Sequence, residues 1–295
     1  MERKKILITG ASGFIGSSLA LELCKNNNVY ALARFTNSDV KKNLEKSGIE
    51  IIQKDIYKHS LDDLPNDFDY IFSQLVSIDF QTNQQKVFDV NTYFVGRLMK
   101  QFSNASGIIL GSSGSVYKPR LKELLNENGE IGPVNLYGIS KLGGELLGRF
   151  LSEQWDIPTC ILRYFFPYGS NGGTPTKWAK QIYYAEDIQI NTNYSAVYSP
   201  IYISDCIRYT IESSLYCSVP AKIINIGGLE TTSQLEIIKI LSKKLNKNPI
   251  ITHTNEVPRF WNGDFGLMLN LFGKPAVNLN KGLSVVVNSI LNNKI

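Results

Sequence analysis

Tyr137 and Lys141 stand four residues apart in Tyr137-Gly138-Ile139-Ser140-Lys141, a spacing that places both on one face of a helix. A free tyrosine titrates near ~10 and moves protons poorly at neutral pH. A lysine cation beside it favours the phenolate, so the pair can serve as an acid–base couple. Upstream, Ile108-Ile109-Leu110 leads into the hydroxyl-rich edge Gly111-Ser112-Ser113-Gly114-Ser115. A serine there can hold the oxygen whose proton the tyrosine gives or takes. At the start of the chain, Gly10-Ala11-Ser12-Gly13-Phe14-Ile15-Gly16 is a Gly-x-x-Gly-x-x-Gly turn between a β-rich run and a helical one. Glycine is needed where such a turn bends sharply and where its backbone must approach a pyrophosphate. The following helix offers its free N–H groups and positive dipole end to phosphates. Its spacing is not the commoner Gly-x-Gly-x-x-Gly, and no Gly-Lys-Ser/Thr follows, so a P-loop is excluded.

The elements that must position these groups are legible as an alternation. Lys5–Ile8, Val29–Ala33, Ile49–Gln53, Tyr70–Leu75 and Gly107–Leu110 read as strands, and Ser18–Asn26, Phe88–Phe102 and Tyr137–Trp155 as helices. Pro158–Tyr164 returns to strand. Alternation of this kind predicts an α/β protein of Rossmann type, a doubly wound parallel sheet that binds ligands at the strands' carboxyl ends. After Tyr168 the pattern loosens. Helices are expected at Trp178–Glu186, Asp205–Cys217 and Ser233–Leu245, with a short strand at Lys222–Ile226. The expected division is a dinucleotide-binding domain over 1–168 and a smaller mixed α/β substrate lobe over 169–295, with room for part of the lobe to return to the sheet.

At 295 residues, with 43% hydrophobic and 19% charged side chains, the composition is that of a folded globular chain. A net charge of +5 is compatible with an anionic small molecule. No basic run interleaved with aromatics points to nucleic acid. The basic start Met1–Lys5 runs into an apolar stretch too short for a signal peptide, and nothing approaches the ~20 apolar residues that span a bilayer. The four cysteines lack CxxC spacing, and two histidines complete no ligand set, so no metal and a reducing, cytoplasmic setting are expected.

In its motifs and their order, the sequence resembles the extended short-chain dehydrogenase/reductase family, also called NAD-dependent epimerase/dehydratase, whose members mostly modify nucleotide-linked sugars. The resemblance runs from Ile6 to about Gly282. Asp55-Ile56 resembles the family's adenine-contacting pair and Asn91 its helix asparagine. Leu162-Arg163-Tyr164-Phe165 resembles the strand after the catalytic helix, Ile201-Tyr202-Ile203-Ser204-Asp205 the Tyr-Val-Asp-Asp segment, and Asn225-Ile226-Gly227-Gly228 the Asn-Ile-Gly turn. Matching Val116-Tyr117 to the family's Val-Tyr implies Ser113, ahead of Ser112, as catalytic hydroxyl beside Tyr137 and Lys141. Lys141 is then also expected to hold the cofactor ribose. Cofactor-binding residues implied are Gly10, Ser12, Gly13, Phe14, Ile15, Gly16, Arg34, Asp55, Ile56, Tyr137, Lys141 and Tyr164.

Departures from the pattern narrow the activity. Gly114 and Ser115 replace the Asp-Glu pair of dehydratases, and Ser115 also replaces the cysteine of 3,5-epimerases. The second strand ends in Ala33-Arg34 without a carboxylate, which favours NADP(H) over NAD(H). Phe166 and Tyr198 replace an asparagine and an arginine on the substrate side. Arg259, Lys177 or Lys180 could restore positive charge, and Trp178 or Trp261 could stack on a base or sugar. The leading expectation is therefore a nucleotide-sugar 4-keto reductase using NADPH. The alternatives are a 4-epimerase that retains NAD and, in another class, a non-catalytic NADP(H) sensor. A homodimer is expected through the Phe88–Phe102 and Tyr137–Trp155 helices.

Overall fold

The computed structural model describes residues 1–120, 123–191, 197–254 and 262–292. Elements follow in the order β1 (Lys5–Thr9), α1 (Phe14–Leu23), β2 (Asn28–Ala33), α2 (Ser38–Lys46), β3 (Glu50–Gln53) and β4 (Tyr70–Ser73). Then come α3 (Gln84–Phe88), α4 (Phe94–Gln101), β5 (Gly107–Ser113), α5 (Leu136–Gln154) and β6 (Thr159–Tyr164). The rest of the chain holds β7 (Pro167–Tyr168), α6 (Thr174–Tyr183), β8 (Asp187–Asn191), β9 (Val197–Tyr198), β10 (Ile201–Tyr202) and α7 (Ile203–Glu212). It ends with β11 (Lys222–Ile226), β12 (Thr232–Ser233), α8 (Gln234–Leu245), β13 (Ile250–Thr254), α9 (Gly266–Phe272) and α10 (Leu279–Leu291).

A seven-stranded sheet has the order β11-β6-β5-β4-β1-β2-β3, with parallel pairing from β5 through β3. The crossover from β3 to β4, on opposite sides of β1 and β2, makes the sheet doubly wound, the expected Rossmann type. The strands carry near-continuous apolar runs because helices cover them: Ile6, Leu7 and Ile8 of β1, and Ile108 and Ile109 of β5, are fully buried.

Two compact units partition the chain. The first comprises Met1–Val116, Ile131–Arg163 and Ile207–Ile224, and the second Tyr117–Glu130, Tyr164–Cys206 and Asn225–Ile295. The first has a core of Leu7, Ile71, Phe94, Leu98, Ile108 and Ile161 with their neighbours. The second packs α6, α8 and α10 on one another, around a core that includes Trp178, Ile182, Ile188, Ile238 and Leu283. Among the described residues no helix is long and apolar enough to cross a membrane.

The helices expected at Trp178–Glu186 and Asp205–Cys217 run instead over Thr174–Tyr183 and Ile203–Glu212, and two helices nearer the site also differ from expectation. The first begins at Phe14, four residues before the expected Ser18, because Gly13 serves as its N-cap and the turn's apolar residues already join the helix. The expected helix over Phe88–Phe102 is broken into α3, a π-helical turn at Asp89–Tyr93, and α4. The cause sits inside the turn. The Asn91 carboxamide accepts from the Ser77 N–H (2.8 Å) and donates to the Ser77 carbonyl and the Ser140 hydroxyl (2.9 Å each). Satisfying those buried groups favours the wider turn over a regular helix.

Candidate active site

All of the site's acid–base groups lie in the first unit, on two elements brought close by a missing side chain. The Asn135 side chain caps α5, accepting from the Gly138 N–H at 2.8 Å. A Cβ on Gly138 would fall 2.3 Å from the Ser115 carbonyl oxygen and 2.8 Å from Pro133. Glycine therefore lets the first turn of α5 press against the serine-rich end of β5. That contact brings Tyr137 beside Ser113, whose hydroxyl favours the phenolate and so pulls the phenol's pKa down. The Ser113 oxygen also accepts the Ser115 N–H at 3.1 Å. Phe80 packs edge-on to the Tyr137 ring, with centroids 6.0 Å apart.

Ser112, the neighbouring candidate, is engaged elsewhere. Its hydroxyl donates to Glu145 Oε2 at 3.0 Å, and the same carboxylate is gripped by Arg163 through Nε (3.0 Å) and Nη2. Glu145 and Arg163 are both buried. Lys141, one turn before Glu145 on α5, is only 8% exposed. Burial pushes its ammonium down to about 8, against the pull of the Glu145 carboxylate. Burial also raises the Tyr137 phenol, offset in part by the Ser113 hydrogen bond. The depression of the phenol expected from the lysine cation is thus absent in the chain alone. Loss of hydration is the dominant cause, because burial disfavours the charged phenolate.

A separate groove of the same unit, about 410 Å³, is lined by Gly10, Ser12, Gly13, Arg34, Asp55 and Ile56 together with residues of the β4 end and α3. Six of the sequence-derived cofactor residues thus share one cavity. Phe14, Ile15 and Gly16 stand behind them on the first turn of α1. Tyr137 and Lys141 are not in its walls, and Tyr164 falls in the second unit. The groove suits a dinucleotide on its own geometry. Gly10 has φ +70°, and a Cβ there would lie 2.7 Å from the Leu75 backbone. A Cβ on Gly16 would lie 2.3 Å from the Gly10 oxygen. The turn is thus wound as tightly as backbone allows. No side chain caps α1, so its first-turn amides remain available to phosphate oxygens.

Sequence reasoning missed the groove's second wall, formed by Gln74, Leu75, Ser77, Ile78 and Lys86. It also missed Arg97 of α4, which donates to the carbonyls of Ile56 (2.7 Å) and His59 (2.6 Å) and so pins the loop that bears Asp55 and Ile56. The only early signal was that Gln74 and Leu75 stand at the carboxyl end of the strand expected over Tyr70–Leu75.

The substrate-side candidates lie in the second unit. Phe166, at φ 49°, packs edge-on to Tyr198 with centroids 4.4 Å apart, and Tyr198 packs on Trp178 at 5.6 Å. Trp178 is 6% exposed and belongs to that unit's core, whereas Lys177 is exposed. Lys177 and Lys180 line a shallow depression at the start of α6. Arg259 and Trp261 lie outside the described residues.

The NAD dependent epimerase/dehydratase family model matches residues 6–227. Among curated proteins, the chain is 27% identical over 256 residues to an uncharacterized UDP-glucose epimerase of Bacillus subtilis, covering 80% of this chain and 81% of that protein. It is 25% identical over 313 residues to the dTDP-4-dehydro-6-deoxyglucose reductase of Escherichia coli, covering 97% of each. Among solved structures, it resembles the Bacillus cereus UDP-glucuronic acid 4-epimerase in complex with UDP-glucuronic acid and NAD. That structure has a TM-score of 0.87 and 28% identity, over 98% of this chain and 99% of the other.

Proposed function

The chain belongs to the NAD dependent epimerase/dehydratase family, and on that premise we propose that it is a 4-epimerase of a UDP-linked sugar that retains NAD. The observation that carries this reading is the close approach of the first turn of α5, which bears Tyr137 one turn before a buried Lys141, to the serine-rich end of β5 that bears Ser113. Solved relatives that bind NAD together with a UDP-sugar support the epimerase over the reductase that led the expectations from sequence.

Gly10, Ser12 and Gly13 would hold the pyrophosphate, and Asp55 and Ile56 the adenosine end. When bound, the dinucleotide supplies a reversible hydride acceptor. Tyr137 takes the proton of the sugar 4-hydroxyl as the alcohol is oxidised, and returns it when the ketone is reduced on its other face. Ser113 shares its hydrogen bond with that oxygen and fixes it against the phenol. Lys141 would place its ammonium one helical turn from the phenol and, with the dinucleotide bound, would hold the cofactor ribose. No carboxylate pair is required, which agrees with Gly114 and Ser115 at the positions where a dehydratase would need one.

Arg34 favours a second reading. It lines the groove at the end of β2, where Ala33 supplies no carboxylate to a ribose 2′-hydroxyl, and it suits a 2′-phosphate. With NADPH the same residues would make a 4-keto sugar reductase. One preparation separates the two. Nucleotide released on denaturation is identified, and the intact protein is incubated with UDP-glucose, UDP-glucuronic acid and their 4-epimers without added reductant. Stoichiometric NAD and interconversion of one pair support the epimerase. An empty protein that consumes NADPH only with a 4-keto sugar overturns it. Tyr137→Phe should lower turnover at least ~10³-fold while leaving dinucleotide binding intact; undiminished turnover would refute the assigned acid–base role.

We also infer a homodimer formed through α5. Ile139, Leu146 and Phe150 are 46%, 52% and 60% exposed, and their spacing puts three large apolar side chains on one outward stripe.

A further inference from the structure

Gln74 follows β4 directly and lines the groove that the proposed function gives to the dinucleotide. Its backbone is fixed. The N–H donates to the Thr9 carbonyl at 3.1 Å, and a Cβ on Gly10 would lie 2.8 Å from the Gln74 carbonyl carbon. The residue therefore stands against the glycine turn, with no room to withdraw. Its side-chain amide nitrogen is buried and has no hydrogen-bond partner. Such orphans are rare in folded proteins, because a buried donor loses its hydration and gains nothing in return. Of the wall residues that follow, Leu75, Val76 and Ile78 carry no side-chain acceptor, and neither Ser77 nor Asp79 is bonded to the Gln74 amide nitrogen.

We propose that Gln74 is a cofactor-binding residue whose amide N–H is satisfied by an oxygen of the bound dinucleotide where it passes the glycine turn. A dinucleotide carries phosphate and ribose oxygens, so acceptors are dense there. Leaving a donor unmet in the empty protein and meeting it on binding makes the residue a device for affinity at the expense of empty-state stability.

This inference rests on the groove taking a dinucleotide, and the two can fail separately. Gln74→Met keeps the length and removes both amide atoms. NAD is titrated into cofactor-stripped wild-type and variant protein by calorimetry, and each is melted without ligand. The expected result is an NAD dissociation constant raised about tenfold in a variant that melts no lower than wild type. Gln74→Glu, which replaces the donor with an anion, should lose more affinity than Gln74→Met. An unchanged dissociation constant in Gln74→Met overturns the proposal. So does a loss of affinity that accompanies a lower melting temperature, since the residue would then act through the fold. A wild-type protein that binds neither NAD nor NADP overturns the reading of the groove itself.

Discussion

Lys141 shows how a group proposed for catalysis can weigh against the fold that holds it. Its ammonium is buried and pushed down to about 8 from 10.5. Between those values the unfolded chain still binds the proton that the folded chain has released, so stability rises with pH across that interval. Below pH 8 both states are protonated and the burden of a buried charge is fully present. Lys141→Met removes the group while keeping its length. The stability of the variant relative to wild type should therefore be greatest below pH 8. That advantage should shrink by about 3 kcal/mol as the pH reaches 10.5, read from denaturant unfolding at each pH. A difference independent of pH would mean that the lysine keeps its full affinity for protons in the fold. At this scale the sequence was informative where spacing dictates proximity. Tyr137 and Lys141 share a helix face by arithmetic, and Ser113 ends a strand. It was silent on Gln74 and Arg97, because an amide after a strand or an arginine on a helix acquires meaning only from what packs beside it. Trp178 shows the converse: an aromatic attractive as a stacking surface lies in the second unit's core.

Among the elements, α5 is shaped by what its glycines allow. Gly138 meets the Ser115 carbonyl, Gly144 would place a Cβ 2.2 Å from the Asn91 carbonyl, and Gly148 would place one 2.5 Å from Leu110. One helix thus lies tight against the β5 edge, the π-helical turn and the strand in succession. The obstruction at Gly138 is backbone, which cannot rotate away as a side chain can. Gly138→Ala should cost about 1–3 kcal/mol of stability. It should also lower turnover beyond what that loss explains, since relief requires the Tyr137 turn to move off Ser113. Thermal melting and steady-state kinetics on the same preparation test this, and a variant with wild-type turnover would remove the close approach from the catalytic account. The strand–helix alternation needed no structure to be seen, since periods of 2 and 3.6 are local properties. The break at Asp89–Tyr93 is not local. It depends on Ser77 and Ser140, which lie 14 and 49 residues from Asn91.

For the whole molecule, the partition into units was the least legible feature, for a physical reason. Tyr117–Glu130 belongs with the distant segment that begins at Asn225 because Asn225 gathers them. Its carboxamide accepts from the buried Tyr117 hydroxyl (2.8 Å) and donates to the Leu125 and Asp264 carbonyls, while its N–H meets Glu127. No periodicity announces such a node. An apolar surface stripe is a more local feature, since it needs only one helix. Ile139, Leu146 and Phe150 remain exposed on α5 although their neighbours Gly144, Glu145 and Gly148 are buried, so the helix is apolar on its outer side as well. A stripe that repeats at helical spacing can meet a second copy of itself about a twofold axis, burying the same residues on both sides. Charges placed there should separate the copies without touching Ser113, Tyr137 or Lys141. Leu146→Glu combined with Phe150→Glu is expected to halve the mass in sedimentation equilibrium, with far-UV circular dichroism unchanged. Wild-type protein that sediments as a monomer at micromolar concentration would instead leave the stripe without a self-pairing role.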